Sequence, residues 1–277
     1  MNREDIKVAV LRIEGTNCEE ESYRAFKKLR TDAEKVHLKQ LLGMDVTEEE
    51  KRNLKDYHIV MIPGGFSAGD YIRAGAIFGA RLKSGLGEEL RSFVKTGKPL
   101  LGVCNGFQVL VESGILPGFD GTISDVPEAV LETNDSNKFE CRPTLLKVED
   151  NSRCVFTREY EDGETVLFPS AHAEGKFVVD NQEKLEKLKD NGQIVFTYTT
   201  PDGSSPRYPW NPNGSMGDIA GICNPEGNVL GLMPHPERVF EGYTIPDWTR
   251  NDKEYLKGEG DGKLVFESVV KYIEENY

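Results

Sequence analysis

Basic residues are outnumbered in this chain: 34 Lys and Arg stand against 47 Asp and Glu, a net charge of −13 over 277 residues. A chain of that sign is repelled by nucleic acid and by anionic membrane surfaces, and no Lys/Arg-rich run overrides it locally. No apolar stretch approaches the length of a membrane-spanning helix, and Met1 to Asp5 leads into a strand-like run without a signal-type segment. The five cysteines are odd in number and contain no Cys-x-x-Cys pair, which argues against a zinc site or a dithiol redox motif. The expectation is a cytoplasmic protein with reduced thiols, no metal, and neither nucleic acid nor membrane as partner. A phosphate loop is missing as well. Gly258-Glu-Gly-Asp-Gly-Lys263 has the wrong glycine spacing and lacks the following Ser or Thr. No internal repeat or low-complexity linker divides the chain, so one domain over 1–277 is expected.

The first half alternates strand and helix signals. Ile6 to Ile13, Lys35 to Leu38, Tyr57 to Ile62 and Leu100 to Val103 read as strands. Glu19 to Arg30 and Gly87 to Thr96 read as amphipathic helices, and Thr47 to Lys55 opens on a capping box, Thr47 with Glu50. That alternation predicts an α/β fold, with a mostly parallel central sheet and helices on both faces. Beyond about residue 120 the pattern turns β-rich. Short strands are expected at 165–168, 176–179, 194–198, 218–223 and 228–233, the last two as a hairpin, and a final helix at 263–275.

The densest chemical signal is Gly102-Val-Cys-Asn-Gly106 between an apolar strand and a helix start. Gly-x-Cys-x-Gly in that setting is the nucleophile-elbow pattern with Cys as nucleophile. Cys104 then sits at a helix N-terminus, where unpaired N–H groups favour a thiolate. A lone Cys is otherwise a packing residue, and the flanking glycines are what shift the balance. Gly64 and Gly65, following a strand, can turn N–H groups toward a developing oxyanion, although such a pair alone often marks a tight turn. The N–H of Asn105 is the second donor expected of an elbow. Only four histidines could serve as base. His37 and His58 fall inside expected strands, where structural roles are expected. His235, in Met233-Pro-His-Pro-Glu237, lies in a segment that its prolines hold extended, so His235 and Glu237 should project side by side. His172, in Phe168-Pro-Ser-Ala-His-Ala-Glu174, is the competing base.

Taken together, Gly102–Gln108 and Met233–Arg238 resemble the class I (triad) glutamine amidotransferases. Pro63–Arg73, Ala171–Phe177 and Tyr208–Ser215 resemble, more narrowly, the glutaminase subunits of phosphoribosylformylglycinamidine synthase. The resemblance implies a flavodoxin-like glutaminase fold and a Cys104–His235–Glu237 triad that hydrolyses L-glutamine through a thioester. It implies an oxyanion hole from Gly65, Phe66 and Asn105, and substrate contacts from Gly64, Gln108, Ser170 and His172. It implies no cofactor on this chain: ATP and magnesium belong to a partner synthetase that makes formylglycinamidine ribonucleotide in purine biosynthesis, usually with a small bridging subunit. The chain departs from the pattern at Ala68, where a tyrosine is expected, at Ala74, and in an apparent insertion at 241–260. Two alternatives are a glutaminase serving another synthase, and a noncatalytic protein of the same fold whose cysteine senses oxidation.

Overall fold

In a computed structural model, which describes residues 1–149, 153–245, 248–250 and 258–277, the chain begins with β1 (Lys7–Arg12), α1 (Glu19–Lys28) and β2 (Asp32–His37). Next come α2 (Leu38–Leu42), β3 (Ile59–Ile62), α3 (Ala76–Lys95), β4 (Leu100–Val103) and α4 (Asn105–Glu112). Strands β5 (Val130–Thr133), β6 (Glu140–Val148), β7 (Thr165–His172) and β8 (Glu174–Val178) follow. The remainder is α5 (Gln182–Asp190), β9 (Ile194–Tyr198), β10 (Ile219–Cys223), β11 (Val229–Leu232) and α6 (Lys263–Asn276).

A nine-stranded sheet runs in the order β2-β1-β3-β4-β11-β10-β9-β6-β7, and β5 pairs with β8 apart from it. Strands β2, β1, β3, β4 and β11 are parallel, while the rest of the large sheet is antiparallel. The central parallel strands β3, β4 and β11 are buried along their lengths, as a sheet covered on both faces requires. From β1 the chain crosses to β2 in one direction, and from β3 to β4 in the other. Right-handed crossovers therefore put α1 and α3 on opposite faces. Around α1, Phe26 meets Phe266 of α6 edge to face, with centroids 5.2 Å apart. Each phenylalanine buried in this way contributes roughly 1.5–3 kcal/mol. The reversal of direction between β1 and β3 opens a crevice at the carboxyl ends of the parallel strands, the place where open α/β sheets bind ligands.

Several expectations needed correction. Glu50 accepts hydrogen bonds from the Thr47 N–H and hydroxyl at 2.9 and 3.0 Å, yet only a turn forms. Residues 48–51 are all exposed, so a helix there would bury no apolar face. Helix α3 starts at Ala76, well before the expected Gly87. Its glycines read as breaks but serve contact: a Cβ on Gly85 would lie 2.5 Å from Leu42 Cδ2. The hairpin β6–β7 is much longer than the strand expected at 165–168, because Pro143 and Pro169 look like strand breakers. They sit opposite each other in register, β7 is the sheet edge, and β9 pairs β6 only at Leu146–Val148, so neither proline removes an interior ladder bond. Helix α5 and strand β5 were not anticipated.

The segment 241–260 is tied down at both ends. The Gly242 N–H donates to the Gly258 carbonyl and the Gly260 N–H to that of Phe240, both at 3.0 Å. Residues 246–247 and 251–257 of the expected insertion lie outside the described residues.

Candidate active site

Four loops meet in the crevice, each at the carboxyl end of a parallel strand. They are Ile13–Cys18 after β1, Pro63–Asp70 after β3, Cys104 after β4 and His235 after β11. Cys104 has φ 52° and ψ −109°, a conformation that L-residues avoid and that the surrounding structure must impose. It is imposed by close packing. The Cys104 N–H donates to the Leu232 carbonyl at 2.8 Å, and a Cβ on Gly106 would fall 1.9 Å from the Ile62 carbonyl oxygen. The elbow expected from Gly-x-Cys-x-Gly is therefore present, with Cys104 capping α4.

His235 and Glu237 pair as expected, with Nδ1 2.5 Å from Oε1 and both side chains buried. The route differs from the expectation. Pro236 begins a 3-10 turn, Pro236–Val239, so the carboxylate returns to the imidazole around that turn rather than along an extended pleat. The His235 N–H donates to the Pro169 carbonyl at 2.8 Å, which anchors the base to β7. Burial alone would push the His235 pKa down. The charges of Glu237 and Cys104, with the hydrogen bond to Glu237, outweigh it and hold the imidazole up at about 10. A protonated imidazole is the neighbour a thiolate needs. A Cβ on Gly64 would lie 2.8 Å from His235 Cε1 and 3.2 Å from Cys104 Cβ, so the base and the nucleophile flank one point that only glycine leaves open.

The competing base has surroundings that lower its basicity. Burial first, and then the charge of His235, push His172 down to about 3, so it stays neutral. It nevertheless lines the cavity beside Cys104, together with Gly65, Phe66, Asp70, Gln108, Phe139 and Glu174. That cavity is about 40 Å³, room for a few waters. Larger hollows lie elsewhere, including one of about 530 Å³ lined by His37, Leu42 and Arg81, but they contain no member of the triad.

The expected oxyanion donors are placed unequally. Asn105 opens α4, so no carbonyl one turn earlier claims its N–H. Gly65, at φ 141°, bonds no backbone carbonyl among the described residues. The Phe66 N–H is engaged, donating to the Gly15 carbonyl at 3.0 Å, so in this arrangement it is not free for an oxyanion. Gln108 lines the cavity but is held by its neighbours: its amide donates to the Glu174 carbonyl and accepts from Asn105 Nδ2 at 3.0 Å. Ser170 does not line the cavity. It is fully buried in β7, with its hydroxyl 3.1 Å from that of Thr144.

Three groups escaped the sequence reading. Asp70 and Glu174 bring two carboxylates to the cavity, and burial, then Glu174, raise the Asp70 pKa to about 6. The glycine-rich loop that ends in Asp70 was the available signal. Cys18 is the third. Its sulfur, a His235 ring nitrogen and a Glu237 oxygen lie within 4.8 Å of one another, a spacing that could hold a metal ion. Burial, then the charge of Glu237, push the Cys18 thiol up to about 12, although Arg238 donates to the sulfur at 3.1 Å. Of the two thiols at the site, Cys104 has the elbow and Cys18 is held protonated.

Comparison with known proteins gives the family. Residues 5–273 match the family described as the CobB/CobQ-like glutamine amidotransferase domain. A phosphoribosylformylglycinamidine synthase subunit PurQ from Archaeoglobus fulgidus is 53% identical over 99% of this chain and 100% of its own length. Its namesake from Pyrococcus horikoshii is 40% identical over 98% of this chain and 100% of its own length. Among solved structures, that of PurLQS from Thermotoga maritima contains a chain 31% identical with TM-score 0.70, covering 97% of this chain and 99% of that one. The chain therefore belongs to the CobB/CobQ-like glutamine amidotransferase family and, within it, to the PurQ glutaminase subunits of phosphoribosylformylglycinamidine synthase.

Proposed function

We propose that this subunit releases ammonia from L-glutamine through Cys104, His235 and Glu237. The observation that carries the assignment is the buried 2.5 Å His235–Glu237 pair beside a strained elbow cysteine. In this reading the Cys104 sulfur attacks the side-chain carboxamide carbon. Negative charge develops on its oxygen and is met by the N–H groups of Gly65 and Asn105. His235 gives its proton to the departing nitrogen, ammonia leaves, and a thioester remains. A water then attacks, His235 takes its proton, and glutamate is released with the sulfur restored. Glu237 holds the tautomer and supports the imidazolium throughout. The carboxylates of Asp70 and Glu174 suit the α-ammonium of the substrate.

The ammonia is consumed elsewhere. The chain has no phosphate loop, so the ATP and magnesium that drive amidine formation from formylglycinamide ribonucleotide belong to a synthetase subunit, with a small bridging subunit completing the complex. Phe66 and Phe139 at the cavity, and Tyr71 and Ile72 on the adjoining loop, are between 50% and 88% exposed and form an apolar rim suited to such a partner. Partner binding would free the Phe66 N–H and widen the cavity. We place the whole chain in one glutaminase domain, acting in the cytoplasm.

The test measures ammonia and glutamate release with and without an ATP-dependent formylglycinamide ribonucleotide synthetase subunit. Turnover is expected to rise with the partner and to vanish in Cys104→Ala. No turnover under either condition would overturn the catalytic reading and favour a thiol-sensing role.

A further inference from the structure

We propose that Asn134 sets the polarity of the glutamine pocket. It holds His172 in the tautomer whose Nε2 accepts a hydrogen bond from the substrate carboxamide and opposes the product carboxylate. The proposal rests on Cys104 being the nucleophile, and it adds a device that tells the amide from the acid.

The tautomer follows from bonding partners alone. Asn134 is buried, and its Nδ2 donates to the carbonyls of Lys138 at 3.0 Å and His172 at 2.8 Å. Carbonyls only accept, so the amide cannot be the other way round. Its Oδ1 receives the Gly175 N–H at 3.1 Å and lies 3.1 Å from His172 Nδ1. Two acceptors cannot share that contact, so Nδ1 carries the proton and Nε2 keeps a lone pair. Gly175 makes the arrangement tight: a Cβ there would lie 2.4 Å from His172 Nδ1. Nε2 is buried and has no hydrogen-bond partner among the described residues, although buried nitrogen is normally paired. His172 is one of the residues that line the cavity containing Cys104. An orphaned acceptor in that position points to a ligand that brings a donor.

A carboxamide meets this requirement and a carboxylate does not. Glutamine offers a C=O, for which Gly65 and Asn105 supply N–H groups, and an NH₂, for which His172 supplies the lone pair. Hydrolysis replaces the NH₂ with an oxygen that can only accept, so attraction turns into repulsion when the product forms. Ammonia brings N–H donors of its own and can rest on Nε2. The low affinity of His172 for protons, held down at about 3 by burial and then by His235, keeps it from protonating that ammonia.

The experiment uses the full chain in complex with its synthetase and reads glutamine KM, kcat and the inhibition constant for glutamate. Asn134→Asp puts a carboxylate against Nδ1, favours the imidazolium, and turns Nε2 from acceptor to donor. Glutamine KM is expected to rise about tenfold and the glutamate inhibition constant to fall about tenfold, with the change on these constants rather than on kcat. His172→Gln should weaken the discrimination without reversing it. A purely structural role for Asn134 would lower the active fraction and leave the KM and inhibition constant where they were, which would overturn the proposal. Because Asn134→Asp also sets an oxygen against two carbonyls, a measurement on the native chain stands beside it. The ¹⁵N spectrum of His172 at neutral pH should show Nδ1 protonated and Nε2 bare, and a proton on Nε2 would overturn the proposal. A native complex that releases no ammonia would remove the catalytic reading, and the ¹⁵N result would still decide the tautomer.

Discussion

Two buried histidines come to the same site from different parts of the fold, and in each a side-chain oxygen meets Nδ1. Nδ1 of His235 meets a side-chain oxygen of Glu237 at 2.5 Å, and Nδ1 of His172 meets one of Asn134 at 3.1 Å. The first oxygen belongs to a carboxylate, the second to a carboxamide. Burial pushes both imidazoles toward neutrality, but only His235 has charges beside it, from Glu237 and Cys104, that reverse the effect. One ring rises to about 10 and the other falls to about 3. A single site thus holds one imidazole that supplies a proton and one that supplies a lone pair. Exchanging those tasks would need no change to the histidines.

Glu237→Gln tests this comparison most severely, because it gives His235 the kind of neighbour His172 has. Glutaminase kcat should fall by about 10⁴-fold, the scale seen when a triad acid becomes its amide. A loss below tenfold in steady-state ammonia release would show that the charge beside Nδ1 matters little. Gly64→Ala leaves both neighbours in place and wedges a methyl between His235 and Cys104. A displacement of that size should cost about 10²-fold in kcat, while the circular dichroism of the fold stays native. Unchanged kcat would mean that the two groups do not act across that gap.

Smaller effects should appear in stability against pH, with opposite signs for the two rings. The His172 pKa lies below its unfolded value, so the unfolded chain binds the extra proton. Its contribution is present above about pH 6.5 and is lost as pH falls toward about 3. The His235 pKa lies above its unfolded value, so its contribution is present below about pH 6.5 and is lost as pH rises through about 10. Denaturant midpoints across both windows, compared with His172→Gln and His235→Gln, should flatten the acid limb in the first variant and the alkaline limb in the second. The same limb flattening in both variants would break the comparison.

The same contrast governs how much of the molecule could be read in advance. The Cys104 elbow and the His235–Glu237 pair are written in a few consecutive residues, and so are the buried parallel strands that present them. Asn134 and His172 are 38 positions apart and meet only because β5, β7 and β8 bring their ends together. Pro143 and Pro169 concealed a hairpin because their tolerance depends on sheet edges, which no local pattern records. Cys18 lies far from its neighbours in sequence and acquires them only through the β1–β3 crevice. The Phe66 N–H is lost to Gly15 in the same way, by a contact between two loops. Short-range chemistry was legible, whereas the distant partners that decide protonation and access were not.

The cavity of about 40 Å³ beside Cys104 has a thermodynamic meaning as well as a steric one. Glutamine needs more room than that, so under the proposed function it would bind a wider form of the site, open in only a fraction of the free subunits. The dissociation constant measured for the free subunit is then the intrinsic one divided by the fraction of molecules open at any instant. A partner that raised this fraction from one in a hundred to nearly all would tighten glutamine binding about a hundredfold without touching the amino acid. Under the proposed function such a pocket would act as a governor: glutamine consumption would follow the supply of assembled synthase rather than the supply of glutamine.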